Sequence, residues 1–205
     1  MKIEVLQEQL MEGLSIVSRA VATRAQLPVL SHILIEAKNE GLVLSATDLE
    51  LGIKVKVSAK VLEEGRVAVP AKMFGEFLGS LNPGKVSLKL EKETLILSAP
   101  GYSGKFQTIS ADEFPAIPEI TSESQICKIE SSVLLKAVER VVFASAKDSL
   151  RPVLTGVLWE LSKKSLRLVA TDGFRLAVEE LPIETSSELA SLLVPSRAVM
   201  EAVRL

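Results

Sequence analysis

Groups that could do acid–base, nucleophilic or metal chemistry are few in this sequence, and they are scattered. The triplet Ala-Thr-Asp occurs twice, ending at Asp48 and at Asp172, so these matched carboxylates are the first candidates for general acid–base work. Aspartate after threonine at a strand end more often closes a turn, its oxygens accepting backbone N–H groups. No partner residue that would turn either aspartate into an acid or base is evident. His32 is the only histidine, and the position matching it further along the chain is Gly156, so it reads as a packed or surface residue. Cys127 is alone, which rules out an internal disulfide framework or a multi-cysteine metal site and fits a reducing cytosol. With no nucleophile–base pair, metal cluster or phosphate-cradling glycine loop, the expectation is no catalytic residue, no metal and no cofactor. The rival reading is a duplicated α+β enzyme using Asp48 or Asp172 in acid–base catalysis.

After the aspartate the two copies part. The first continues Leu49-Glu50-Leu51, the second Gly173-Phe174-Arg175-Leu176. An aromatic and an arginine beside a glycine suit a partner-binding surface; a local turn with a core phenylalanine accounts for them equally well. Basic residues form a second group. Lys136 and Arg140 lie four apart on the polar face of a helix pattern, Lys147 lies near its end, Arg24 follows the matching earlier helix, and Lys72, Arg197 and Arg204 sit on the polar sides of a second pair. Glu8, Glu12, Glu139 and Glu201 dilute them. A net charge of −2 and a pI near 5.7 exclude a module that grips nucleic acid by charge alone, whose usual mark is a pI above about 9.

The elements that must position these residues come in two copies. Residues 28–48, PVLSHILIEAKNEGLVLSATD, align without a gap to residues 152–172, PVLTGVLWELSKKSLRLVATD, with about half the positions identical and a constant offset of 124. Val69-Pro70-Ala71-Lys72 recurs as Val194-Pro195-Ser196-Arg197, so the repeating unit is about 125 residues long. The expected domains are 1–122 and 126–205, joined by the polar run Ser122-Glu123-Ser124-Gln125, with the second incomplete at its C-terminal end.

Leu6, Leu10, Leu14, Val17 and Val21 predict one amphipathic helix, and Leu134, Val138, Val141 and Ser145 its repeat. Period-two alternation over Leu49–Lys60, Leu42–Ala46, Val86–Leu90 and Leu95–Ala99 predicts strands, with turns at Asn39-Glu40-Gly41 and Glu91-Lys92-Glu93. A second helix, begun by Val69-Pro70, carries Phe74, Phe77, Leu78 and Leu81 and stops before Asn82-Pro83-Gly84. The fold class is therefore α+β, each copy having two helices and several antiparallel strands. The composition, 47% hydrophobic with mean hydropathy +0.31, is ample for such a core. No apolar run approaches the ~18 residues of a membrane span. The start, Met1-Lys2-Ile3-Glu4, lacks the apolar stretch of a secretory signal, so a soluble cytoplasmic protein is expected.

Leu-Pro-Val-Leu in one copy and Arg-Pro-Val-Leu in the next, Ala-Thr-Asp in both, Ala-Thr-Asp-Gly-Phe-Arg-Leu only in the second, and Asp112-Glu113-Phe114-Pro115 between them resemble the bacterial sliding clamp family, the beta subunit of the replicative DNA polymerase, from residue 1 to 205. The resemblance implies a non-enzymatic processivity factor in which three such domains follow one another. Two chains close head to tail into a ring around duplex DNA, helices inside and strands outside. It further implies a longer product of which this is a piece. By position Arg24 and Lys72 match DNA-touching residues of the family, with Lys136, Arg140, Lys147, Arg197 and Arg204 as further candidates. The loop before Leu154 offers glutamine and tyrosines to DNA in relatives, whereas here only Arg151 suits phosphate. Leu154, Thr171, Gly173, Arg175 and Leu176 match the family's pocket for short motifs of polymerase, clamp-loader and repair partners, with Phe174 where some relatives have histidine. Phe106 and Thr108 fall on the edge strand that meets the other chain of the homodimer.

Overall fold

The computed structural model describes residues 1–22, 27–38, 40–119, 127–147, 150–183 and 190–204. Arg24, Asn39, the run 122–125, Asp148 and Ser149 lie outside them. The chain divides into two compact units, Met1–Ile117 and Pro118–Leu205.

The first unit runs β1 (Lys2–Leu6), α1 (Gln7–Val17), β2 (His32–Lys38), β3 (Gly41–Thr47), β4 (Gly52–Val57), β5 (Lys60–Glu63), β6 (Gly65–Pro70), α2 (Ala71–Gly79), β7 (Lys85–Glu91), β8 (Thr94–Ala99) and β9 (Tyr102–Gln107). Its strands form two antiparallel sheets, in the orders β4-β3-β2-β6 and β5-β1-β7-β8-β9. One core joins both sheets and both helices: Ile33, Ile35 and Leu44 from one sheet, Ile3, Leu88 and Leu97 from the other, Leu10 and Leu14 from α1, Phe74 and Leu78 from α2. Gln7 is buried at the head of α1, and its Nε2 donates to the Leu78 carbonyl at 2.9 Å, fastening the start of one helix to the end of the other.

The second unit runs α3 (Ser131–Val142), β10 (Gly156–Leu161), β11 (Ser165–Thr171), β12 (Leu176–Pro182), β13 (Ala190–Pro195) and α4 (Ser196–Ala202). Its sheet order, β12-β11-β10-β13, is that of β4-β3-β2-β6, and the register repeats as well. Thr47 faces Gly52 as Thr171 faces Leu176, and Ile33 faces Val69 as Val157 faces Val194. The duplication read from sequence is thus a duplication of strand pairing.

Two expectations are corrected. The helix stripe expected from Leu6 to Val21 is helical only over Gln7–Val17, because Leu6 closes β1, which pairs with β5 and β7, 56 to 87 residues away along the chain. Such pairing leaves no local periodicity. The strand expected over Leu49–Lys60 is β4 alone; Leu49–Leu51 make a turn, and the chain then crosses to the other sheet as β5. Ile53 and Val57 face inward as the alternation predicts.

The turn after each Ala-Thr-Asp is one design used twice. Asp48 Oδ1 accepts from the backbone N–H of Glu50 (3.1 Å) and Leu51 (2.7 Å), and Thr47 Oγ1 from that of Leu49 (3.0 Å). In the second copy Asp172 Oδ1 accepts from Phe174 and Arg175 (3.0 Å each), and Thr171 Oγ1 from Gly173 (3.1 Å). The residue after the aspartate has a positive φ in both, +79° at Leu49 and +91° at Gly173. The aspartates are therefore committed to backbone donors, which is a structural role.

Replacing Asp48 by Ala strands two amide donors and is expected to lower stability by about 1–2 kcal/mol, measured by urea unfolding. Asp48→Asn, which keeps an acceptor oxygen, should recover most of that. Gly13 gives a sharper packing test. A Cβ there would lie 2.6 Å from Val57 Cγ2 and 3.2 Å from Leu44 Cδ1, whereas one on Gly79 would meet only Met11 Cε at 3.7 Å. Overpacking of about 1–3 kcal/mol outweighs the roughly 0.5–1 kcal/mol gained by removing a helical glycine. Gly13→Ala should accordingly lower the urea midpoint, and Gly79→Ala should leave it level or raised.

Candidate functional site

In the second unit the turn 171–175 forms one wall of an open cleft of about 300 Å³. Asp172, Phe174 and Arg175 line that side; Ser145, Ala146 and Lys147, following α3, and the loop from Leu150 to Leu154 line the other. Backbone bonds set the loop: Ala146 N–H donates to the Leu154 carbonyl (2.8 Å) and Leu154 N–H to the Arg151 carbonyl (2.9 Å). Leu154 is half-buried at the base. Phe174 and Leu150 project from the rim, 96% and 87% exposed. Fully solvated aromatic and leucine side chains cost nothing to bury against a partner except their own ordering, so they are natural anchors.

Arg175 is aimed by two contacts. Its Nε donates to Asp172 Oδ2 at 2.9 Å, and its guanidinium lies 5.6 Å from the centre of the Phe143 ring. The Phe174 and Arg175 amides, the Phe174 one foremost, hold the Asp172 carboxyl below the usual aspartate range; burial opposes them less strongly, and the Arg175 charge and side-chain hydrogen bond lower it a little further. Thr171 Oγ1 also donates to the Arg175 carbonyl at 2.7 Å. An added Cβ at Gly173 would sit 3.2 Å from Arg151 Nη1 in a left-handed backbone, so glycine here lets Arg151 close over the turn.

Of the six residues expected at a partner pocket, Leu154, Phe174 and Arg175 line the cleft, Thr171 and Gly173 build the turn, and Leu176 stands exposed beside it as the first residue of β12. Lys147 and Arg151, expected to face DNA, are brought to the same cleft. Ser145, Ala146, Leu150 and Phe143 were not anticipated. Their sequence signal is slight: Phe143 and Leu150 are the large apolar residues at the two ends of the run 143–150.

The remaining basic residues differ in how free their charge is. Lys72 and Lys136 are exposed on α2 and α3. Arg140 donates to Glu179 Oε1 at 2.6 Å across to β12, and Arg204 to Glu201 Oε1 at 3.0 Å, so these two are largely neutralised. Lys72 lies in the first turn of α2, which holds no acidic residue, and Arg197 is exposed in the matching turn of α4. A cation near the positive end of a helix is mildly unfavourable for folding, and it concentrates positive potential at the surface.

On the five-stranded sheet, β9 is an edge strand. Phe106, expected at a subunit interface, has its side chain inside the core, edge-on to Phe74 (5.2 Å between ring centres) and Phe77 (5.6 Å). Thr108 is tied to the Glu93 carbonyl through both its N–H (3.0 Å) and its Oγ1 (2.8 Å). As an edge strand β9 offers its unpaired backbone groups, together with the exposed side chains of Tyr102, Lys105 and Gln107. Among the described residues no group of three His, Cys, Asp or Glu could hold a metal ion, and no helix is long and apolar enough to cross a membrane.

Two family descriptions match the chain: the N-terminal domain of the DNA polymerase III beta subunit over residues 1–118, and its central domain over residues 128–205. The beta sliding clamp of Synechocystis is 34% identical, the alignment covering all of this chain and 58% of the relative. The sliding clamp of Bacillus subtilis superimposes with a TM-score of 0.91 over the whole chain and 56% of its own, at 24% identity. That of Pseudomonas aeruginosa solved with griselimycin gives 0.86 at 31% identity, over the whole chain and 56% of its own. The chain thus spans a little over half the length of the relatives it matches. With the repeat, the sheet order and the strand-end turn all accounted for by those two domains in succession, the chain belongs to the DNA polymerase III beta subunit family.

Proposed function

We propose that this chain supplies part of a sliding clamp, a cytoplasmic protein without catalytic chemistry of its own. Such a clamp keeps the replicative polymerase on duplex DNA by enclosing the duplex in a ring of repeated units. The observation that carries this reading is the family match across both units. Retention by enclosure needs only weak, sequence-blind phosphate contacts, which reconciles a net charge of −2 with a DNA role. Arg24, Lys72, Lys136 and Arg197 are the residues we assign to the duplex. Lys72 is the foremost of the described ones, because its ammonium is added to the positive end of α2. Arg140 and Arg204 contribute less, since each already faces a carboxylate.

The cleft is the docking site for a short linear motif of a polymerase, clamp loader or repair protein. Leu154 and Phe174 serve as apolar anchors, and Arg175, held by Asp172 and Phe143, as the polar one. The griselimycin complex of the Pseudomonas aeruginosa relative is consistent with a ligand site in this family. Lys147 and Arg151 at the rim suit an acidic flank on the motif. The backbone of β9 is the surface we assign to a second chain, by strand addition in a homodimer.

The complete gene product should stay threaded on a nicked circular plasmid and slip from a linear one of equal length; equal loss from both would remove the enclosure mechanism. Arg175→Ala should weaken binding of a polymerase-derived motif peptide about ten-fold or more, roughly 1.4 kcal/mol, without affecting loading on DNA. Lys72→Ala should do the reverse, lowering the salt slope of DNA binding by about one. Because backbone donors depress the Asp172 pKa, the charged turn is favoured at all pH above the unfolded aspartate value of about 3.9, and its advantage is lost as pH falls through the lower folded value. A carboxyl-carbon NMR titration of Asp172 is expected to have its midpoint below that of an unstructured peptide of the same sequence.

A further inference from the structure

The register of the first unit's four-stranded sheet places Lys54, Ser45, Leu34 and Ala68 side by side in one row on one face. That face is covered by the segment from Ile109 to Ile117, the last stretch before the second unit begins at Pro118. Ile109 and Ala68 exchange a pair of backbone bonds beside β6 (3.1 and 2.9 Å). At the far side Ile117 lies over β4, its carbonyl accepting from Lys54 Nζ at 3.0 Å. The segment therefore crosses the whole sheet as a strap.

Its hold is slight. Phe114 is the large side chain it buries, with Ile109 and Ile117 half-buried on either side. The backbone bonds from Glu113 to Ser110 and from Phe114 to Ala111 tie the strap to itself and not to the sheet. Asp112 pairs with Arg66, but both side chains are exposed, and such pairs contribute little. Ile117 rests on bare backbone, since a Cβ on Gly52 would lie 2.9 Å from its Cγ2. Beneath the strap lies a defect. Ser45 is 1% exposed, and among the described residues its Oγ has no hydrogen-bond partner. The matching pair in the repeat is Leu158 opposite Val169, so the strand pairing itself does not require a hydroxyl there. A buried hydroxyl without a partner penalises whatever covers it, and the strap lies over its row.

We propose that residues 109–117 are a releasable strap, lifting from the sheet as one piece while the sheet stays folded, and returning Ser45 to water as they go. From Ile109 to β4 the strap spans four strand spacings, about 19 Å, whereas nine extended residues reach ~30 Å. Release frees roughly 10 Å of chain at the junction between the units. Slack of this kind absorbs strain on the chain without unfolding either unit.

Amide hydrogen exchange on the 205-residue chain tests this. Corrected for intrinsic rates, the Ile109 and Phe114 amides should exchange about 100-fold faster, or more, than those of the central strands β2 and β3. Ser45→Ala, which removes the stranded hydroxyl, should slow exchange in the strap about ten-fold. Gly52→Ala, whose Cβ presses on Ile117, should speed it about ten-fold. Cleavage of the Glu113–Phe114 bond by a glutamyl endopeptidase should move in step with exchange in each variant. Strap amides as slow as those of β2 and β3 would overturn the proposal, because the strap would then leave the sheet only on unfolding. Exchange and cleavage unmoved by both substitutions would overturn it as well, since the opening would not involve the Ser45 row. Should Gly52→Ala fail to fold, Ser45→Ala decides alone.

Discussion

Two consecutive amide groups at the tip of a strand connection need an acceptor, and a single aspartate oxygen supplies it in each unit. At Asp172 that requirement fixes where Phe174 and Arg175 leave the backbone, and the second carboxylate oxygen then sets the direction of the guanidinium. The cleft is assembled around this turn: among the described residues Arg151 approaches Gly173 and Phe143 lies against Arg175. A carboxylate that looks catalytic in sequence is in fact the scaffold for its neighbours, and its low pKa is the mark of that service, not of proton transfer.

The same turn at Asp48 holds a different set of neighbours. Backbone geometry is kept, even to a left-handed residue, but Leu49, Glu50 and Leu51 replace the glycine, aromatic and arginine. Glycine at position 52 leaves room for Ile117, which packs against a small core of Val29, Leu30, Ala68 and Phe114 in the first unit. Duplication thus preserved the strand pairing while the side chains around the turn diverged.

Charge follows a comparable economy. Two of the basic residues face carboxylates, Arg140 beside Glu179 and Arg204 beside Glu201. Lys72 and Lys136 keep exposed charge on helices α2 and α3.

By itself the sequence determined the repeat, the α+β class and the inward faces of α1, β3, β7 and β8, because periodicity, turn chemistry and self-similarity are local properties of a chain, whereas the residue set Leu154, Thr171, Gly173, Phe174, Arg175 and Leu176 came from the family resemblance. Only the tertiary structure decided that Leu6 ends a strand, that Phe106 points into the core while its backbone lies at an edge, that Lys147 and Arg151 join the cleft, and that Phe114 and Ile117 pack with Val29 and Leu30. Each of these depends on which distant segment arrives as a neighbour: β7 against β1, Phe74 and Phe77 against Phe106, the loop after α3 against the Asp172 turn, Ile117 against Gly52. Such meetings are settled by the packing of many side chains at once, and no window of sequence contains them.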